Sequence, residues 1–142
     1  MTSAYRVREV DGDDEEATLA SLHHRTLGPE VPHGDYGDGF WWLAYFEGHP
    51  VAFAGVSESI YDDNMGYFSR VGVLRAHRGN SLQLRLMRAL EAKSRRVGWA
   101  TIVTDTTNTI HSANNIRTAG YRLYEPGIPW AFPNTLYWKK DL

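Results

Sequence analysis

Over residues 5–10 the chain alternates Tyr5 and Val7 with Arg6 and Arg8, the period-two pattern of a half-buried strand. An acidic cluster from Asp11 to Glu16 follows. Asp11 or Asp13 can cap a helix there, and Asp14, Glu15 and Glu16 suit the positive end of its dipole. Leu19, Leu22 and Leu27 give that helix one apolar stripe. Glycines and prolines then break any period over 28–39, which predicts a loop with room for a helical turn; loops of about 12 residues are often functional. Residues 41–46 and 51–57 are apolar strands joined by Glu47-Gly48-His49-Pro50, a hairpin connection. A second loop, 59–66, precedes a fourth strand over 67–74.

The clearest helix covers 80–97. Leu82, Leu86, Ala89 and Leu90 share one face, Arg85, Arg88, Arg95 and Arg96 are left for solvent, and Gly98 closes it. Residues 100–106 form a β-branched strand, and 112–119 a short helix ended by Gly120. The last strands, 121–124 and 136–139, flank a proline-containing loop over 126–133. The order β-α-(α)-β-β-β-α-β-α-β-β, with no repeat and no linker, predicts one α/β domain spanning 1–142 with a mixed sheet.

Composition narrows the functional classes. A chain of 142 residues with 42% hydrophobic and 23% charged residues can bury a core without staples. A formal net charge of -2 argues against nucleic-acid binding by phosphate neutralisation. With no cysteine there is no disulfide, thiolate metal site or catalytic thiol, so covalent acyl-cysteine chemistry is excluded. Residues 1–10 lack the pattern of a signal peptide and no apolar run approaches the ~18 residues of a membrane span, so a soluble, cytoplasmic protein with no membrane contact is expected. No metal is expected either, because His23-His24 has no partner ligand at helical spacing. Lys139-Lys140 reads as a solvated strand end.

The junction between the fourth strand and the long helix carries the chemistry. Backbone N–H groups at a helix N-terminus have no internal partners and bind anions. Arg78, Gly79, Asn80 and Ser81 build such a turn, Gly79 allows close backbone approach, and Arg75 and His77 add donors. It is neither a Walker loop nor a dinucleotide-binding glycine motif. Taken alone it is either an anion site or an ordinary turn capped by Asn80 or Ser81.

Val73-Leu-Arg-Ala-His-Arg78-Gly79-Asn-Ser-Leu-Gln83 resembles motif A of the GNAT acetyltransferase superfamily, V-x-P-x-x-R-G-x-G-x-G/A, which joins that family's fourth strand to its third helix. Asn108, after a β-branched strand and before a short helix, and Gly120-Tyr121, similar to the G-F/Y that ends the family's fourth helix, extend the likeness. Arg75 stands where proline is usual, Ser81 where the middle glycine is, and Gln83 where a small residue is. A negative φ at Ser81 would keep the site at no cost; a positive φ would cost roughly 1 kcal/mol or more.

The resemblance implies a mixed, mostly antiparallel central sheet flanked by helices, with the fourth and fifth strands splayed to admit the pantetheine arm of acetyl-CoA. On that basis Val71 and Val73 would pair with the arm through their backbone. Arg78, Gly79, Asn80, Ser81, Leu82 and Gln83 would hold the pyrophosphate, and Asn108 would touch the arm's far side. An N–H near Val71 would face the thioester oxygen. The implied activity is N-acetylation of a primary amine, on a small molecule or peptide, by direct attack in a ternary complex.

Amine acetylation needs a proton acceptor for the nitrogen and a donor for the sulfur. The family commonly places a carboxylate on the fourth strand and a tyrosine four residues before the G-F/Y glycine. Here 67–73 contains no acid and the second position is Ile116. Three substitutes present themselves, each with a plain structural reading beside it. Asp105 closes the fifth strand and is either a base or a turn acceptor. Glu58 is either a base or a solvated strand end, and Tyr124 either an acid or core packing. Tyr121, Ser69 (orienting a water) and His111 are secondary candidates. The missing pair motivates an alternative, a CoA-binding module with little transfer activity that acts as a sensor or partner-binding domain. A third reading is a cofactor-free interaction domain. Glu30, Asp35, Asp38, Asp62 and Asp63 would make the acceptor rim acidic, favouring a cationic amine, and aromatics near Trp130, Phe132 and Trp138 offer an edge for a homodimer.

Overall fold

The computed structural model describes residues 4–29, 31, 34–60, 64–107 and 110–142, the side chains of Ile110 and His111 excepted. Glu30, Asp62, Asp63, Asn108 and the His111 side chain therefore lie outside the described residues. The elements run β1 (Tyr5–Val10), α1 (Glu16–Leu27), β2 (Phe40–Phe46), β3 (His49–Glu58), β4 (Met65–Val73), a 3-10 turn (Arg75–His77), α2 (Leu82–Val97), β5 (Thr101–Thr106), α3 (Ile110–Thr118), β6 (Arg122–Leu123) and β7 (Leu136–Asp141). Seven strands form one sheet in the order β1-β2-β3-β4-β5-β7-β6, antiparallel throughout except for the parallel β4–β5 pair. The predicted order of elements holds, and no helix occurs in the described part of 28–39.

Local chemistry accounts for the element ends. The Asp11 carboxylate accepts from the N–H groups of Asp13 (2.9 Å) and Asp14 (3.1 Å), so it builds the turn that enters α1. Glu47 and Gly48, at φ 49 and 82, form the two-residue hairpin loop between Phe46 and its partner His49. Gly98, at φ 91, ends α2 with its own N–H on Arg95 O and that of Trp99 on Ser94 O.

The sheet buries both faces. On one, α1 packs Leu19 and Leu22 against Trp41, Leu43 and Phe53. Close approach of α1 needs Gly72, since a Cβ there would sit 2.1 Å from Thr26 Oγ1. On the other face, Leu82, Leu86, Met87 and Leu90 of α2 meet Trp42, Ala54, Val56, Phe68 and Ile102. The helix is buried more widely than its leucine stripe predicts. Glu91 is only 3% exposed, and it pairs with Lys140 of β7, whose Nζ also donates to Ala119 O at the end of α3. Lys140 is thus no solvated strand end, because a buried carboxylate requires a cation. Arg85 likewise turns inward, donating to Tyr5 O. Among the described residues no helix is long and apolar enough to cross a membrane.

Candidate active site

The parallel pairing of β4 with β5 stops at Tyr67–Val103, although β4 runs on to Val73 and β5 to Thr106. A bulge accompanies the parting. Gly55 faces Arg70 and Val56 faces Phe68, which leaves Ser69 as the extra residue, its Oγ donating to Gly55 O at 3.2 Å. The bulge also changes the phase of the strand. Leu74 N–H donates to Val51 O at 2.9 Å, which makes Ala52–Val73 and Ala54–Val71 the non-hydrogen-bonded pairs of this ladder. The N–H and C=O groups of Val71 and Val73 therefore face away from β3, into the opening that β5 has left. Arg78 Nε, 3.3 Å from Val73 O, donates from that open side.

The turn continues the same edge. Arg78 is extended, Gly79 is left-handed at φ 82 with open space around it, and Ser81 is the residue before α2. No side chain caps α2, and Asn80 bonds back to His77 O and Arg78 O instead. Among the described residues the first N–H groups of this helix have no side-chain cap, as an anion site requires. His77 braces the turn from below, with its Nδ1 3.1 Å from Tyr5 Oη and its ring 5.1 Å from that of Phe46. Ser81 is left-handed too, at φ 59, so the condition for a cost-free serine is not met. Ser81→Gly is expected to relieve strain of ~1 kcal/mol and lose part of it to unfolded-chain entropy. The net gain is about 0.5 kcal/mol, read as a rise of roughly 1–2 °C in Tm.

Opening and turn together line a cleft of about 870 Å³, with Val71, Val73, Arg78, Gly79, Ser81, Leu82 and Gln83 on one side. Asn80 does not line it. Residues that the sequence did not mark as part of the site also line it, Thr26 and Leu27 at the end of α1 and Ser112 and Asn115 on α3. Gln83 reaches across: its Oε1 accepts from Asn115 Nδ2 at 3.1 Å and its Nε2 donates to Ser112 Oγ at 3.4 Å. The side chain that replaces a small residue in the motif thus ties α2 to α3 over the cleft. No local pattern marks a contact 29 or 32 residues away.

Asp105 lies where the two strands part. Its Oδ2 accepts from Tyr67 Oη at 2.6 Å and from Trp130 Nε1 at 2.8 Å. It is therefore a turn acceptor only in a non-local sense, holding the 124–135 loop rather than the turn beside it. Burial first, then the neighbouring Asp105 charge and hydrogen bond, push the Tyr67 phenol well above the ordinary tyrosine range, so it stays a donor. The pairings Asp105–Tyr137 and Tyr124 N–H to Tyr137 O set Tyr124 two strands away in the same row, with the Lys139 ammonium 5.4 Å from its ring. Glu58 is exposed opposite Gly66, in register with Ile102 and on the α2 side of the sheet, so it is not brought to Asp105. Tyr121 packs by Glu91, and burial, then that carboxylate, raise its pKa.

On the α1 side, Arg70 donates to Nδ1 of the fully buried His23 at 2.9 Å, while His23 Nε2 meets Val31 O at 2.8 Å. Both ring nitrogens of His23 are thereby engaged, and no group of three metal-ligating side chains occurs among the described residues. Within the expected acidic rim, Asp35 and Asp38 are exposed, and Asp35 Oδ1 accepts from Gly37 N–H as a turn builder.

A mixed sheet opened between two parallel strands, with an uncapped helix N-terminus beside the gap, is the architecture that the resemblance to the GNAT superfamily implies. The Acetyltransferase (GNAT) family model matches residues 5–121, and the chain belongs to that family. Solved structures agree at the level of the fold. A Klebsiella pneumoniae protein assigned as an acyl-CoA N-acyltransferase is 23% identical and covers 99% of both chains at a TM-score of 0.72. A GNAT-family acetyltransferase from Staphylococcus aureus is 16% identical, covering 96% of this chain and 98% of its own at 0.73. The yncA protein of Salmonella typhimurium, assigned as an acetyltransferase and solved with its cofactor acetyl-CoA, is 16% identical, covering 98% and 94% at 0.74. No curated protein matches the chain.

Proposed function

We propose that this protein transfers an acetyl group from acetyl-CoA to a primary amine by direct attack in a ternary complex. The carrying observation is that the backbone groups of Val71 and Val73 face away from β3 into the β4–β5 opening, beside the uncapped start of α2. Acetyl-CoA supplies the activated acetyl group. The backbone of Val71 and Val73 aligns the pantetheine arm, and Arg78, Gly79, Ser81, Leu82 and Gln83 receive the pyrophosphate, with Asn80 shaping the turn rather than touching the ligand. Gln83, Ser112 and Asn115 flank the arm on the α3 side, the side on which Asn108 is expected to contribute.

The acceptor nitrogen must shed a proton and the sulfur must gain one. Asp105 is the proton acceptor, its Oδ2 pinned by Tyr67 and Trp130 and its Oδ1 without a partner among the described residues. Tyr124 is the proposed donor to sulfur, and Tyr67, kept protonated by burial, holds Asp105 in place. Glu58, exposed on the other face, is left the part of a solvated strand end.

Calorimetry with acetyl-CoA is expected to give one site with a dissociation constant in the micromolar range, and absence of binding at millimolar ligand would overturn the proposal. Thiol release across a panel of primary amines then separates an enzyme from a CoA-binding module, which would bind and release nothing.

A further inference from the structure

Among the described residues Asp105 forms no ion pair. Its two hydrogen bonds come from neutral groups, a phenol and an indole. A part-buried carboxylate of this kind ordinarily has a charged partner. Around it stand three rings. Trp130 is near-perpendicular both to Tyr67 (83°, centroids 6.2 Å apart) and to Tyr137 (76°, 4.6 Å). Tyr137 is the register partner of Asp105, and its Oη accepts from Ala131 N–H at 3.0 Å, which fixes the backbone next to Trp130. Three rings and one carboxylate thus meet beside the last β4–β5 pair, at the start of the opening along which the reading above lays the pantetheine arm.

We infer that Trp130, Tyr67 and Tyr137, with Asp105 at their junction, form the acceptor's docking site and select an alkylammonium, an amine that arrives charged on an apolar stem. This deepens the acetyltransferase reading and rests on it. An ammonium finds a charge to match on Asp105 and ring faces that attract cations. The rings also cover a methylene stem. A neutral arylamine leaves the carboxylate unmatched, and an acceptor with an anionic group beside the nitrogen meets repulsion. Trp130 is the specificity-determining residue of this site, because its indole supplies both a wall and one of the two bonds that orient Asp105.

The test uses protein with nitrogen-15 in its tryptophans, the Trp130 indole resonance being the one lost in Trp130→Phe. n-Butylamine, n-butanol and butyrate are titrated to equal millimolar concentrations at neutral pH. Butylammonium alone is expected to shift the Trp130 resonance, and the shift is expected to disappear in Asp105→Asn. No shift with butylammonium, or equal shifts with all three, overturns the inference. In turnover, Trp130→Ala should lower kcat/KM for butylamine roughly tenfold, mainly through KM, with acetyl-CoA binding unchanged in calorimetry. Equal kcat/KM in wild type and Trp130→Ala would also overturn it. Failure of acetyl-CoA to bind would sink the acetyltransferase reading alone, since the indole titration needs no cofactor.

Discussion

Asp105→Asn is expected to lower kcat/KM for amine acetylation by roughly 10²- to 10³-fold at neutral pH, with acetyl-CoA affinity unchanged. The amide keeps an oxygen for Tyr67 and Trp130, which donate at 2.6 and 2.8 Å to the wild-type carboxylate, so loop and strand stay in place. What disappears is the group proposed to take the proton. An alkylamine with a pKa of ~10.4 is deprotonated in only about one part in 2,500 at pH 7, so without a base the reaction waits on that fraction. The direction with pH follows. Activity of the variant should climb steadily toward the amine's own pKa, narrowing its deficit against wild type. A pH–rate profile of both proteins, with calorimetry as the binding control, checks this. A variant with wild-type kcat/KM would mean that the proton leaves through water.

Lys140→Met is expected to destabilise the fold by about 3 kcal/mol, seen as a fall of about 10 °C in Tm. Lys140 alone among the described residues forms an ion pair with Glu91, whose side chain is 4% exposed, and it also binds Ala119 O at 2.7 Å. Methionine retains the length of the stem, so little packing is lost, but the carboxylate stays buried with nothing opposite. The double variant Lys140→Met/Glu91→Leu should recover most of the loss, because replacing both partners removes the buried charge. Urea unfolding of wild type, Lys140→Met, Glu91→Leu and the double variant measures the coupling directly. Equal destabilisation in the single and double variants would show that Lys140 acts by packing. The pair joins α2, the end of α3 and β7, and through α2 it steadies the helix whose N-terminus faces the cleft.

The legible parts of this protein were those set by neighbours in sequence. Alternation gave β1, the Glu47–Pro50 stretch gave the β2–β3 hairpin (its turn shortened to Glu47-Gly48 in the structure, where His49 and Pro50 already belong to β3), and leucine spacing marked α2. Arg78-Gly79, with the family likeness, pointed to the cleft-lining turn. These features rest on period, backbone conformation and orphan N–H groups, all of them properties of short stretches.

Sequence did not reveal the bulge at Ser69, because a bulge is a matter of register between two strands. It showed Asp105 without Tyr67, 38 residues away, or Trp130, 25 residues away, and so left its role open between base and turn acceptor. It read Lys140 as solvated because nothing nearby in the chain hints at Glu91, 49 residues off. It left the φ of Ser81 undecided, since a serine adopts a left-handed conformation only where the surrounding strand and helix hold it there. The sequence by itself determined the elements, their order and the place of the Arg78–Ser81 turn. The tertiary structure alone decided which backbone edge opens, what crosses the cleft and which groups meet Asp105, because each depends on contacts between segments that only the closed sheet brings within hydrogen-bonding distance.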